Sequence, residues 1–180
     1  GGGIYCTNSA PTISGNIIGE NKATYDGGGI YCINSSPMMT NNIITRNDPS
    51  GILCQRSFLT IINSTIVRND GSGISCYGST SSSTIINTIL WDNAREGKAD
   101  MWDNASEEMS LHGDNIDVTY SSIRGGYPGV GNINIYPRFV SDSDYHLSDY
   151  SPCIGAGIMT QDEPDTDIAG NSRPFPVGSS

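Results

Sequence analysis

Short apolar segments recur along this chain at a nearly constant interval, separated by turns rich in Gly, Asn, Asp and Ser. Cysteine marks the interval best, because four successive cysteines are 26, 22 and 22 residues apart. They are Cys6, Cys32, Cys54 and Cys76. Self-similarity at a period of roughly 20 to 50 residues is typical of solenoids and repeat arrays. The pattern therefore predicts a stack of repeated units.

Each repeat contains short segments in which every second residue is apolar, and this alternation predicts β-strands. Ile30-Tyr31-Cys32 places Ile30 and Cys32 on one face of a strand and Tyr31 on the other. In the first three repeats an apolar residue follows the cysteine by seven residues, and another follows five residues later. Three residues further on there is always an asparagine: Asn21, Asn47, Asn69 and Asn93.

One such coil cannot bury its apolar side chains alone, because it is too short to close a core. Parallel stacking at a strand separation of about 4.8 Å buries each of them against its equivalents above and below. We therefore expect a cysteine ladder, an aliphatic ladder and an asparagine ladder. A propeller blade needs about 40 residues, so the repeat favours a β-solenoid, of about six to seven coils.

The repeat resembles a known family. GGGIYC at residues 1–6 returns at 27–32 and is followed by SSPMMTNNIITRN at 35–47. This resembles the right-handed parallel β-helix repeat family of bacterial secreted and cell-surface proteins. The C-terminal part resembles the end of such proteins, except that Gly155 stands where relatives usually carry Asp. The resemblance implies an all-β, right-handed, single-stranded parallel β-helix. It leaves the activity open, because the family includes adhesins and lyases.

The domain organisation follows from where the repeat is interrupted. We expect parallel coils over residues 1–140, with a polar, acidic excursion at about 94–116, and an irregular C-terminal cap at 141–180 that covers the open end. The chain begins inside a repeat, which we interpret as a fragment of a longer protein. No run of 18 apolar residues predicts a transmembrane span.

Charge is distributed unevenly along the chain, whose formal net charge is −10. Residues 1–93 carry five acids and four bases, whereas residues 94–180 carry fourteen acids and five bases. The solenoid body is nearly neutral and has no basic cluster, which argues against nucleic acid as a partner. An acidic sugar polymer would need divalent cations to bind.

Two groups of acids are candidate calcium ligands, because Ca²⁺ prefers carboxylate and carbonyl oxygens. Three aspartates, 22 residues apart, each precede a glycine by three residues: Asp26, Asp48 and Asp70. We explain the longer first period by four extra residues, 22–25, placed before Asp26. Stacked in register they would form a column, although Asp-x-x-Gly is also a good type I turn. The second group is Asp162, Asp165 and Asp167, where an Asp167–Arg173 pair is the alternative.

Aromatic side chains are the candidate carbohydrate contacts. Tyr5 and Tyr31 occupy the outward position between the isoleucine and the cysteine of their strands, and Trp91 and Trp102 lie near the excursion. Outward tyrosine is also ordinary in β-strands. The first four cysteines are expected to be buried free thiols, and no zinc-ligand spacing occurs.

No residue is assigned a catalytic role. Motifs for a serine nucleophile, a phosphate loop or a dinucleotide are absent from the sequence. Arg46 and Arg68 share one ladder position with Glu20 and Asp92, and we expect these side chains to project into solvent. His112 lies in the excursion, and His146, in the strand-like segment 145–147, is interpreted as structural.

Three functional hypotheses remain. The first is a non-catalytic, adhesin-like solenoid, secreted or at the cell surface, that presents an extended face to carbohydrate or a surface partner. The second is a polysaccharide lyase or glycoside hydrolase with part of its site outside these 180 residues. The third is a structural stalk. Calcium is the one cofactor considered.

Overall fold

The computed structural model describes residues 2–24, 27–79, 83–94, 109–113, 116–161 and 165–173. Within these ranges the regular elements are all β-strands. The same residues include no helix long and apolar enough to cross a bilayer. The strands form three parallel sheets of five strands each, and the chain visits the three sheets in turn.

Five successive coils each contribute three strands. In chain order these are β1 (Ile4–Thr7), β2 (Thr12–Ser14), β3 (Ile17–Gly19), β4 (Ile30–Ile33), β5 (Met38–Thr40), β6 (Ile43–Thr45), β7 (Ile52–Gln55), β8 (Thr60–Ile62), β9 (Thr65–Val67), β10 (Ile74–Ser79), β11 (Ser83–Ile86), β12 (Ile89–Trp91), β13 (Met109–Gly113), β14 (Ile116–Thr119) and β15 (Ser122–Ile123). Sheet A is β1-β4-β7-β10-β13, sheet B is β2-β5-β8-β11-β14, and sheet C is β3-β6-β9-β12-β15.

The predicted cysteine and aliphatic ladders are confirmed by the strand registers. Cys6, Cys32, Cys54 and Cys76 align in sheet A and are free, buried thiols. Equivalent apolar columns line the inner faces of sheets B and C and end at Val118 and Ile123. Each fully buried aliphatic side chain contributes about 1.5–3 kcal/mol, so like residues stacked on like hold the coils together. Burial raises the pKa of the Cys54 thiol well above its ordinary value.

The predicted asparagine ladder is also confirmed. Asn47 Nδ2 donates to Asn69 Oδ1 at 2.9 Å, and Asn69 Nδ2 donates to Asn93 Oδ1 at 2.8 Å. The same amide nitrogen of Asn69 donates to the carbonyl of Ile44. A Cβ placed on Gly29 would lie 2.9 Å from Asn47 Nδ2. The carbonyl oxygen of Gly51 in the next coil would be closer still, so glycine precedes this strand because backbone and ladder amide occupy that space.

The number of coils and the extent of the excursion differ from the prediction. Met109–Gly113 pairs in parallel with β10 and so belongs to the stack, as does Ile116. Residues 95–108 and 114–115 lie outside the described residues. The coils do not continue to residue 140, because Ile133 makes only an isolated bridge to Ser122, and Phe139 pairs antiparallel with Leu147.

The described part of the segment predicted as a cap, 141–180, contacts the side of the solenoid. The fifth coil is covered by the loop that follows it, residues 124–136. Tyr127 of this loop packs against the core, and Asn132 Oδ1 accepts a hydrogen bond from the N–H of Ser121. Residues 137–161 and 165–173, which we call the arm, lie along the side of the solenoid. The arm contacts coils that lie earlier in the stack. The hydroxyl of Tyr145 hydrogen-bonds to that of Thr45, the carbonyl of Ile158 accepts a hydrogen bond from Asn87, and the carbonyl of Thr166 accepts one from Asn41.

The first part of the arm is a hairpin over residues 138–148, which covers the outer face of sheet C. Two backbone hydrogen bonds of 2.9 Å join its sides. The N–H of Val140 donates to the carbonyl of His146, and the N–H of Ser148 donates to the carbonyl of Arg138. The outward column of sheet C contains Thr45, Val67 and Trp91 in register. Val67 points outward and yet is 0% exposed. The arm packs against the side of the solenoid because it buries these outward side chains there.

Candidate functional site

The candidate aromatic pair Tyr5 and Tyr31 lies on the outer face of sheet A. The two residues are neighbours in register, with ring centroids 5.6 Å apart and planes at 66°. The Tyr31 hydroxyl donates to Gln55 Oε1 at 3.3 Å, and Tyr5 is 54% exposed. Because the rings meet edge to face, they do not form one flat platform. The ring of Tyr5 is the accessible one.

Trp91 does not extend this surface. Trp91 is only 8% exposed and packs edge to face against Tyr136, with ring centroids 5.9 Å apart. Its function is therefore to help attach the segment that leads into the arm. Trp102 lies outside the described residues.

The expected column of three aspartates is not formed as predicted. The N–H of Asp48 donates to the carbonyl of Asn21, and the N–H of Asp70 donates to that of Asn47, so the residue in register with both is Lys22. Lys22 Nζ lies 2.9 Å from Asp48 Oδ2. Asp26 lies outside the described residues. Ala23 is in register with Pro49 and Gly29 with Gly51, so the four extra residues lie between Ala23 and Gly29 and not at 22–25. Equal spacing to the next glycine was therefore not equal register.

The C-terminal acids are partly used in local structure. Asp167 Oδ1 accepts the N–H groups of Ala169 and Asn171 at 2.9 and 2.8 Å, and its Oδ2 accepts Asn171 Nδ2. Partial burial raises the pKa of Asp167, but these hydrogen bonds outweigh it and the net pKa is lowered. Asp165 is exposed and Asp162 lies outside the described residues. Among the described residues no group of three His, Cys, Asp or Glu side chains could hold a metal ion.

The column of charged turn residues has a role that the sequence reasoning missed. Arg46 and Arg68 both donate to the carbonyl oxygen of Asp142 in the hairpin, each at 2.8 Å. Arg68 Nη2 also lies 2.5 Å from Asp142 Oδ1. In the same column Asp92 pairs with Arg124 at 3.0 Å. Arg46 and Arg68 therefore bind the hairpin to the solenoid. Glu20 and Arg46 are exposed, as expected, whereas Arg68 and Asp92 are half-buried.

A groove lies between the hairpin and the first two coils of sheet C, with a volume of about 430 Å³. Its floor is formed by β3 and β6 and its far wall by residues 143–146. The floor is apolar at Ile17, which is 72% exposed, and at the half-buried Ile43. The hairpin extends far enough to reach coil 2 but leaves the outer face of coil 1 bare, and this step creates the groove.

The polar side chains of the groove come from both walls. Glu20 and Arg46 follow β3 and β6 at turn positions with positive φ, 58° and 52°, which aim successive side chains the same way. From the hairpin, His146 Nδ1 lies 2.5 Å from Asp144 Oδ1, and the His146 N–H donates to the same oxygen at 3.0 Å. These two hydrogen bonds, the backbone one first, hold the pKa of Asp144 below its usual value.

The groove could have been partly anticipated from the outward columns. Gly19, Thr45, Val67 and Trp91 are in register in sheet C, and Ser14, Thr40 and Ile62 are in register in sheet B. Both columns become larger and more apolar away from coil 1. Such a gradient indicates that something covers the later coils. His146, interpreted as structural, in fact lines the groove.

Comparison with known proteins agrees with the architecture. The family model described as a right-handed β-helix region matches residues 1–116. No curated protein and no solved structure matches the chain. The matched range contains the floor of the groove, whereas the hairpin that forms its far wall lies outside it.

Proposed function

Because this chain belongs to the right-handed β-helix family, we propose that it is a non-catalytic, secreted or cell-surface solenoid whose groove beside the hairpin binds carbohydrate. The observation that carries this proposal is the groove itself, with an apolar floor at Ile17 and Ile43 and polar side chains on both walls. Ligand sites in proteins are typically concave and apolar, with a few convergent polar groups.

Carbohydrate fits this combination of surfaces. A sugar ring has C–H groups that pack on aliphatic side chains and hydroxyls that both donate and accept hydrogen bonds. Glu20 and Asp144 accept hydrogen bonds and Arg46 donates them. Tyr5, on the neighbouring sheet A of the same coil, adds an exposed aromatic ring that could contact a longer glycan.

The second candidate is a glycoside hydrolase or a polysaccharide lyase. It is favoured by one observation, that Glu20 and Asp144 line the groove from opposite walls. Two carboxylates on either side of a glycosidic bond are what a glycosidase uses. We favour binding over cleavage because neither carboxyl is enclosed in the apolar surroundings that a glycosidase's general acid usually has: Glu20 is exposed, and Asp144 is hydrogen-bonded by His146.

A combined binding and cleavage screen tests the proposal. The protein is applied to a glycan array and incubated with soluble polysaccharides, with Ca²⁺ and with a chelator. Retention of a glycan without cleavage supports the proposal, whereas a new unsaturated chromophore or new reducing ends would indicate a lyase or a hydrolase. Loss of binding with the chelator would assign calcium a role, for which Asp48 and Asp70 are the first residues to replace.

Two matched variants locate the site. Ile17→Asp places a charge on the apolar floor and should abolish retention. Val130→Asp makes the same kind of change at a side chain that is 68% exposed outside the groove, and it should leave retention unchanged. Retention that survives Ile17→Asp would move the site elsewhere, with the Tyr5 face as the next place to test. Silence of the wild-type protein in every assay would favour the structural stalk.

A further inference from the structure

The four charged residues of the turn after sheet C are not equally engaged. Arg46 and Arg68 bind Asp142, and Asp92 binds Arg124. For the carboxylate of Glu20, the first residue of the column, the described residues provide no hydrogen-bond or ion-pair partner. Glu20 is exposed at the edge of the groove. It is therefore a charged acceptor that is available to a ligand.

The basic side chains of the groove already contact groups of the hairpin. The guanidinium of Arg46 donates to the Asp142 carbonyl at 2.8 Å. The imidazole of His146 lies 2.5 Å from the Asp144 carboxylate. Two carboxylates, Glu20 and Asp144, therefore face the groove against a single guanidinium, on a chain whose formal net charge is −10.

We propose that the groove selects uncharged, hydroxyl-bearing glycans over acidic ones, with Glu20 as the specificity-determining residue. This inference rests on the proposed function, because it names the substrate class of the same site. Glu20 accepts hydrogen bonds from sugar hydroxyls above the floor formed by Ile17 and Ile43. A uronic acid at that place would bring a third carboxylate into a groove in which Arg46 supplies the one guanidinium among the lining residues.

The size of the effect follows from the chemistry. A hydrogen bond to a charged acceptor contributes enough to change affinity by about 10- to 100-fold. Repulsion between two exposed carboxylates is weaker and screened by salt, since the Debye length is about 8 Å at 0.15 M. The preference for uncharged glycans should therefore shrink as salt is raised, whereas the affinity for the uncharged glycan itself should change little.

The test uses matched hexasaccharides that differ only in charge: gluco-, galacto- and mannohexaose against the corresponding hexamers of glucuronic, galacturonic and mannuronic acid. Binding is measured by calorimetry at 0.15 M and 0.5 M salt. We expect the wild-type protein to bind at least one uncharged hexamer and to bind its uronic counterpart at least about 10-fold more weakly. Equal or tighter binding of the uronic hexamer would overturn the inference and leave the proposed function standing.

Substitutions at Glu20 identify the residue responsible. Glu20→Gln should weaken the uncharged hexamer about 10-fold and narrow the discrimination against the uronic one. Glu20→Lys should reverse the preference. Unchanged selectivity in both variants would overturn the assignment to Glu20. Because the side chain is exposed, both variants should keep the wild-type melting temperature.

Asp117→Lys is the matched control for net charge. Asp117 is exposed on β14 in sheet B, in the fifth coil. Its replacement by Lys changes the net charge as much as Glu20→Lys does, but far from the groove. If it shifts the preference as much as Glu20→Lys does, selectivity comes from the overall charge and the inference fails. If no hexamer and no other glycan binds the wild-type protein, the proposed function itself fails, and the inference fails with it.

Discussion

Coil 1 and coil 3 are built from the same repeat but have different outer surfaces. In coil 1 the outward side chains are bare, as at Ile17, which is 72% exposed. In coil 3 the outward Ile62 and Val67 are 3% and 0% exposed. The inner faces of the two coils are nearly the same, since Ile13 and Ile61, like Ile18 and Ile66, occupy equivalent columns.

The difference teaches that two separate interactions stabilise this molecule. The inner columns and the asparagine ladder connect each coil to its neighbours and would do so without the arm. The arm adds a second layer over the coils that it reaches, fastened by Asp142 and by Tyr145. The groove lies at the boundary between the covered and the bare coils, which is why its walls come from distant parts of the chain.

The largest expected effect is on the inner layer. Cys54→Asp would place a charge without a partner at a position that is 0% exposed, and should cost about 4 kcal/mol or more. Urea unfolding followed by circular dichroism measures this cost. Tyr5→Asp, in sheet A of coil 1 but on the outer face, should change stability by less than about 1 kcal/mol. Similar losses of unfolding free energy in both variants would contradict the structure, in which Cys54 is buried and Tyr5 is exposed.

A smaller effect is expected within the asparagine ladder. Asn69→Ala removes the amide that donates to Ile44 and to Asn93 and accepts from Asn47, which should cost about 3 kcal/mol because buried groups lose their partners. Asn21→Ala at the end of the ladder, where the residue is only half-buried, should cost about 1 kcal/mol. Equal urea midpoints for the two variants would contradict a ladder whose centre is the more tightly bound.

The smallest effect on global stability is expected at the arm. The Asp142 side chain of the Arg68–Asp142 pair is largely exposed, and exposed pairs contribute little to global stability because water and salt screen them. Arg68→Ala should nevertheless speed hydrogen exchange at the Val140 amide, which bonds to His146 across the hairpin. Arg56→Ala, an exposed arginine that does not contact Asp142, is the control and should leave exchange at Val140 unchanged.

Low pH should release the same contact. The hydrogen bond and charge of Arg68 lower the pKa of Asp142. The pair therefore contributes fully above the unfolded value of about 3.9 and is lost as the pH falls through the lower folded value. Exchange at the Val140 amide, corrected for its intrinsic pH dependence, should rise below about pH 4 in the wild-type protein. It should rise less in Arg68→Ala, in which the contact is already broken.

The parts predicted correctly from the sequence are those that depend on spacing. The spacing of Cys6, Ile13, Ile18 and Asn21 recurs in the first three coils, and stacking converts equal spacing into equal register. The Asp26 column failed because the local repeat is broken by an insertion, and spacing alone does not tell on which side of it the register resumes. The bridge between Lys22 and Asp48 shows that the register still holds at Lys22, so the insertion follows that residue.

The sequence by itself determined the fold and its inner ladders, because a short repeat can bury its apolar residues only against copies of itself. The course of residues 137–173 was decided by tertiary structure. Asp142 meets Arg46 and Arg68 only after coils 2 and 3 have stacked and brought the two guanidinium groups side by side. The groove depends on that meeting, since Glu20 and His146 are distant in the chain and share a site only once the hairpin has docked.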